Sequence, residues 1–148
     1  MELRKVTMND AGTILSWRND ETTRKNSFSE GKIALEDHLK WLEKKLSDPD
    51  CHMYILEDDG KDVGNIRLDI LDGGEVAEIS YMVSPDKRGQ GYGKKILLMA
   101  DDIVKPLGVK VLTGLVKEDN VASRKCFEAT GYSTVMAGAI VSYIKAIG

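Results

Sequence analysis

Apolar and polar positions alternate over residues 2–6 (Glu-Leu-Arg-Lys-Val), the period-two pattern of a half-buried strand. Thr7, followed three residues later by Asp10, makes a capping-box pattern that predicts a helix over about residues 10–18. The polar stretch 19–30 is expected to be a loop. Leu35, Leu39, Leu42 and Leu46 then recur at spacings of four, three and four, predicting one apolar helical stripe that ends before Pro49. Residues 53–57, 63–71 and 75–83 read as three strands, separated by the turn-formers Asp58-Asp59-Gly60 and Asp72-Gly73-Gly74, so two hairpins and an antiparallel meander are expected. Over residues 91–105 the set Ile96, Leu97, Ala100, Ile103 and Val104 shares one helical face, with Pro106 and Gly108 as the stop. A β-rich run at 109–116, a helix over about 121–130 capped by Asn120 and stopped at Gly131, and short strands at 132–136 and 139–146 complete the chain. The order β-α-α-β-β-β-α-β-α-β-β predicts a mixed α/β sheet with helices packed on it, and 148 residues without an internal linker predict one domain spanning 1–148.

Composition narrows the function more than the fold. With 42% hydrophobic and 30% charged residues, disordered and fibrous classes are excluded. A net charge of -3 gives no global attraction to a polyanion, so a nucleic-acid binder is disfavoured, although a local basic patch remains compatible with a phosphorylated ligand. Cys51 and Cys126 form neither a Cys-x-x-Cys pair nor part of a His/Cys cluster, so no disulfide framework and no metal site are expected. The N-terminal residues carry no apolar h-region and no stretch is long enough to span a bilayer, which predicts a cytoplasmic protein with no membrane partner.

The chemistry concentrates after the third meander strand, where Ser84-Pro85-Asp86-Lys87-Arg88-Gly89-Gln90-Gly91-Tyr92-Gly93-Lys94-Lys95 leads into a helix. Glycines at alternate positions expose backbone N–H groups at that helix N-terminus, and Arg88, Lys94 and Lys95 add positive charge, so the turn can hold a pyrophosphate. It is not a Walker loop, which needs Gly at 88 and Ser or Thr at 95, where Arg88 and Lys95 stand. Nor is it the dinucleotide Gly-x-Gly-x-x-Gly pattern, because Lys94 and Ile96 occupy the third glycine position in the two registers.

Arg88-Gly89-Gln90-Gly91-Tyr92-Gly93 resembles the acetyl-CoA signature of the GNAT superfamily of N-acetyltransferases: Arg or Gln, two residues, Gly, one residue, then Gly or Ala. A second segment of that family, Asn-x-x-Ala/Ser followed by an aromatic residue, Glu and Gly-aromatic, is matched from Asn120 through Ser123, Phe127 and Glu128 to Gly131-Tyr132, about 30 residues further on. The resemblance covers essentially the whole chain. It implies the GNAT fold, an α/β (α+β) arrangement with a mixed, mostly antiparallel sheet of about seven strands and about four helices. It also implies acetyl-CoA as cofactor, lying between the splayed fourth and fifth strands, with Met82 and Val83 supplying backbone partners and Arg88, Gly89, Gln90, Gly91, Tyr92, Gly93, Lys94, Asn120, Ser123 and Phe127 completing the cofactor site.

Catalytic roles follow from the same resemblance. The acceptor amine must lose a proton before it attacks, and Glu78, on the strand leading to the signature, is the candidate base, with a water relay as the other route. Phe127 stands where many members place a proton-donating Tyr, and a phenyl ring donates nothing. Ser123 is then the candidate acid, with Tyr132 and Tyr143 as further hydroxyls and unassisted departure of the thiolate as the remaining option. On the acceptor side, Arg18, Asn19, Arg24, His38 and Trp41 resemble the amino-sugar acetyltransferases of bacterial surface-glycan pathways, where charge and stacking would contact a sugar or nucleotide. The expected partner is a small-molecule amine, probed first as a nucleotide-linked amino sugar. Acetylation of a protein N-terminus and a non-catalytic acyl-CoA-binding module are the alternatives, and the family's sheets admit a homodimer through their C-terminal strands.

Overall fold

The computed structural model describes residues 1–71 and 73–148. Its strands are β1 (Glu2–Lys5), β2 (Cys51–Asp58), β3 (Lys61–Ile70), β4 (Val76–Val83), β5 (Val111–Lys117), β6 (Ser133–Met136) and β7 (Ile140–Ala146). The helices are α1 (Ala11–Arg18), α2 (Glu21–Asn26), α3 (Leu35–Ser47), α4 (Tyr92–Val104) and α5 (Val121–Ala129). The sheet runs β1-β2-β3-β4-β5-β7-β6, antiparallel throughout except for the parallel pair β4–β5. This is the mixed, mostly antiparallel sheet of seven strands that the resemblance implies.

Local chemistry accounts for most boundaries. Thr7 and Asp10 do form a reciprocal capping box, which opens a short 3-10 turn leading into α1. The β2–β3 hairpin turns on Asp59 and Gly60, both with positive φ (53° and 73°), the backbone that matches the twist of a two-residue hairpin loop. In the second hairpin turn, Asp72 lies outside the described residues. The α4 stripe of Ile96, Leu97, Ala100 and Val104 is fully buried against β3 and β4, and α5 packs beside it. The opposite face carries a smaller core, where Ile14 and Trp17 of α1 and Leu42 of α3 meet Met53 and Ile55 of β2.

Two expectations are corrected. Residues 19–30 are not all loop, since Glu21–Asn26 forms α2, capped by Asp20, whose side chain accepts from Thr23 N at 3.1 Å. The helix buries no residue, so it carries no apolar periodicity to read, and it brings the helices among the described residues to five. The leucine stripe of α3 is also rotated from its expected face. Leu35 is 56% exposed and Leu39 36%, while His38 and Leu42 are the buried pair. A buried imidazole, which a hydrophobic pattern counts as polar, marks the true inner face.

Candidate active site

The site begins where the sheet opens. β4 and β5 share a ladder only at Val76–Val111, Ala77–Leu112 and Glu78–Thr113. Beyond it β4 continues to Val83 paired only with β3, and β5 continues to Lys117 paired only with β7. The facing edges from Ile79 and Gly114 onward therefore present backbone N–H and C=O groups with no ladder partner, a slot shaped for an added extended chain. A cavity of about 730 Å³ runs through this split from one face of the sheet to the other. Met82 and Val83 line it from β4, Leu115 and Val116 from β5, and Ser123 and Phe127 from α5.

The glycine turn closes one end. Gly89 and Gly91 sit at φ 76° and 84°, a left-handed backbone that a residue with Cβ rarely adopts, and a Cβ at either would point into open space. Gly91 caps α4 without a side chain, so the first N–H groups of α4 lack intrahelical acceptors and face the cavity mouth, which Tyr92, Gly93 and Lys94 also line. Gln90 is exposed and does not line the cavity. Arg88 lines it but is held sideways: its Nη2 donates to Asp20 Oδ2 at 2.6 Å and to Thr23 Oγ1 at 2.9 Å. The Arg88 guanidinium in turn holds the Asp20 carboxyl below the usual carboxylate range. The phosphate turn is thus tied to α2, the helix that the sequence pattern left unread.

At the inner end two hydroxyls meet. Asn120 caps α5, its Oδ1 accepting from Ser123 N at 3.3 Å, and this fixes the first turn so that Ser123 Oγ lies 2.8 Å from Tyr81 OH in a shared hydrogen bond. Burial pushes the Tyr81 phenol above its ordinary pKa, so it keeps its proton across the neutral range. Phe127 is 2% exposed, stacked on Tyr143 at 5.1 Å and edge-on to Tyr132 at 4.9 Å. Neither of those tyrosines lines the cavity: Tyr132 is buried beneath Phe127, and Tyr143 OH donates to Glu128 Oε2 at 2.6 Å. Tyr81 was not singled out from sequence, although its alternation with Ile79 on β4 placed a hydroxyl on the α5 side of the strand.

On the other face, Arg18 and Trp41 reach the cavity together. The Arg18 guanidinium carbon lies 4.3 Å from the Trp41 ring centroid, and that of Arg67 lies 5.4 Å from it. His38 stands behind them, fully buried and outside the cavity lining. Arg18 Nη1 is always a donor, so His38 Nδ1 accepts from it at 3.2 Å, and Nε2–H donates to Ala11 O at 3.0 Å. Burial, and then the Arg18 charge, push the His38 pKa down, which keeps the ring in that neutral tautomer. Asn19 and Arg24 are likewise held away from the lining. Asn19 clamps the backbone of Ile33 with both ends of its amide, and Arg24 donates to the carbonyls of Asn19 and Glu30. Arg67, which sequence reasoning missed, was signalled only by a cation set between the apolar Ile66 and Leu68.

Glu78 sits on the same β4 face as Ser80 and Met82, in the closed part of the ladder opposite Asp69 and Thr113. It is half-buried and does not line the cavity. Among the described residues the lining holds six basic side chains, Arg18, Arg67, Lys87, Arg88, Lys94 and Lys125, and no carboxylate. No group of His, Cys, Asp and Glu suited to a metal ion occurs among the described residues.

These features fit coenzyme A. The unpaired strand edges suit an amide-bearing arm, the glycine turn and α4 N-terminus suit a diphosphate, and the basic lining suits its negative charge. A family model described as an acetyltransferase (GNAT) domain matches residues 1–133. No curated protein matches. Among solved structures, the spermidine N-acetyltransferase from Vibrio cholerae, in complex with CoA and spermine, superposes with a TM-score of 0.88 at 18% identity, covering 99% of this chain and 95% of its own. The ribosomal-protein-alanine N-acetyltransferase from Brucella melitensis gives 0.81 at 21% identity over 99% of each chain. An aminoglycoside acetyltransferase in complex with coenzyme A gives 0.82 at 16% identity, covering 97% of this chain and 93% of its own. The split sheet, the glycine turn and the family match together establish that the chain belongs to the GNAT family of acetyl-CoA-dependent acetyltransferases.

Proposed function

We propose that this protein transfers the acetyl group of acetyl-CoA directly to the primary amine of a small acceptor, an amino sugar in free or nucleotide-linked form. The observation that carries the reading is the single cavity joining the β4–β5 split to the Arg18–Trp41 wall, which puts a thioester slot and an acceptor pocket in one space. Bound acetyl-CoA supplies the acyl carbon that the amine attacks.

The chain's own groups divide the remaining work. The backbone of Val83, which alternation turns away from β3 and toward the split while that of Met82 pairs with Asn65, holds the cofactor arm, and an N–H there polarises the acyl oxygen, an effect typically worth about 3 kcal/mol for one well-placed donor. Glu78 lies in the closed part of the ladder and outside the cavity lining, so it receives the amine proton through a water rather than by contact. Ser123 Oγ offers a proton at the departing sulfur and takes one from the Tyr81 phenol at 2.8 Å, which regains its proton from water in the cavity it lines, so that the phenol is neutral again at the end of the cycle. This pair takes the place of the tyrosine hydroxyl that Phe127 lacks.

The test is release of free CoA thiol from acetyl-CoA with and without an amine. Acceptor-dependent release supports the transferase reading, and binding of acetyl-CoA with no release for any amine sinks it in favour of a binding module. Trp41→Ala is expected to raise the acceptor KM by about tenfold, a loss of about 1.4 kcal/mol, while the Kd for CoA holds. Equal weakening of both would remove Trp41 from the acceptor pocket.

A further inference from the structure

Charge pairing is uneven among the arginines of the protein. Arg4 has three carboxylate partners, Asp10, Glu57 and Asp62. Arg88 has Asp20, and Arg67 has Asp69, which it shares with Lys45. Arg18, half-buried and lining the cavity, has no carboxylate within 4.0 Å among the described residues, and its hydrogen-bond partner there is the neutral His38 Nδ1. A guanidinium withdrawn from water without a counter-ion is unfavourable unless a ligand completes it. The unfavourable arrangement is nevertheless built with care. His38 fixes one Nη1–H, the Trp41 face supports the guanidinium plane, and Arg67 adds a second cation on the same ring. Four of the five Arg18 N–H groups remain for a ligand.

Resting on the acetyl-transfer reading, we infer that the acceptor amine carries an anionic group, a carboxylate or a phosphoryl group, which Arg18 and Arg67 bind over Trp41. The absence of any carboxylate from the described lining argues the same way from the opposite side. A polycationic amine would meet Arg18 and Arg67 with no carboxylate in the described lining to offset them, whereas a zwitterionic or phosphorylated amine brings the missing negative charge. The preformed clamp selects the acceptor by its anion and leaves the amine free to face the split in the sheet.

Two matched amine pairs test this and separate the two anion sources: UDP-glucosamine against glucosamine, and alanine against alaninamide. Each is measured by thiol release and by calorimetric binding to the CoA complex. The inference predicts that the anionic member of at least one pair is preferred by about tenfold or more, and that Arg18→Gln brings the ratio close to one while Arg18→Lys keeps part of it. Should Arg18→Gln fail to fold, Arg67→Gln carries the same comparison. Equal handling within both pairs, a preference that survives Arg18→Gln, or no binding by any of the four amines overturns the inference. Arg18-dependent binding of an anionic amine without thiol release keeps the anion clamp and sinks acetyl transfer. Thiol release indifferent to charge does the reverse.

Discussion

The contact between Tyr81 and Ser123 joins two hydroxyls in the cavity lining, a pairing that sequence spacing alone could only half supply. Ser123 stands in a motif and is found by it, but its partner lies 42 positions away on a strand and becomes a partner only when α5 packs against β4. If Ser123 protonates the leaving sulfur, Ser123→Ala lowers kcat by about 10- to 100-fold with little change in the KM for acetyl-CoA, within the usual range for a general acid. Tyr81→Phe lowers kcat less, because a serine hydroxyl remains. Steady-state kinetics on both variants checks this, and unchanged kcat in Ser123→Ala would mean that the thiolate leaves without help. Legibility at this scale followed chemistry: glycines and Asn120 announce themselves by backbone need, and Arg18 and Trp41 by type. His38, Asn19 and Arg24 were readable as polar residues near the acceptor, but only packing reveals that their hydrogen bonds are spent on Arg18, on Ile33 and on loop carbonyls.

Among elements, β5 and α5 pack most closely where the sheet begins to split. Gly114 follows the last β4–β5 ladder residue, and a Cβ there would stand 2.6 Å from Phe127 Cζ and 2.7 Å from its Cε1. That ring is locked between Tyr143 and Tyr132 and cannot swing away. Gly114→Ala is therefore expected to cost about 1–3 kcal/mol by overpacking, read as a lower midpoint in urea. Gly114→Ala combined with Phe127→Leu recovers part of the loss, since the two sites share one contact. A melt identical to wild type for Gly114→Ala would mean that the ring is not wedged against the strand. The meander and α4 were legible because their apolar periods are long and are bounded by Gly and Pro, and α5 because Asn120 and Gly131 mark its ends. The short α2 was not, because six polar residues with no buried face carry only a cap as signal. The β4–β5 split was not legible either, since both strands continue as good β sequence through the point where they part, and only the family resemblance anticipated it.

For the molecule as a whole, the two cores flank a sheet whose first edge is secured by charge. Arg4 on β1 donates from Nη1 and Nη2 to the two Asp10 oxygens at 2.9 and 2.8 Å, and its Nε lies 2.6 Å from Glu57 Oε1 on β2. The Arg4 hydrogen bonds hold the Asp10 carboxyl below the usual carboxylate range. A carboxyl whose folded pKa is depressed stabilises the fold above its unfolded value, about 3.9, and that contribution is lost as pH falls through the folded value. Thermal melts should therefore fall steeply below about pH 4, and Asp10→Asn, less stable at neutral pH, should show a shallower acid decline. An acid profile as steep in Asp10→Asn as in wild type would assign the loss to other carboxylates.

The central claim is that the glycine turn and the split sheet form a coenzyme A site, and calorimetric titration of CoA into wild type and Gly91→Asp tests it most directly. Aspartate tolerates the left-handed backbone at Gly91 better than most residues, and its carboxylate would stand where the diphosphate is expected. The account predicts saturable one-site binding by wild type, weakened by at least about tenfold in a folded Gly91→Asp protein. Wild type that binds no CoA, or a Gly91→Asp variant that binds it equally well, would contradict the account.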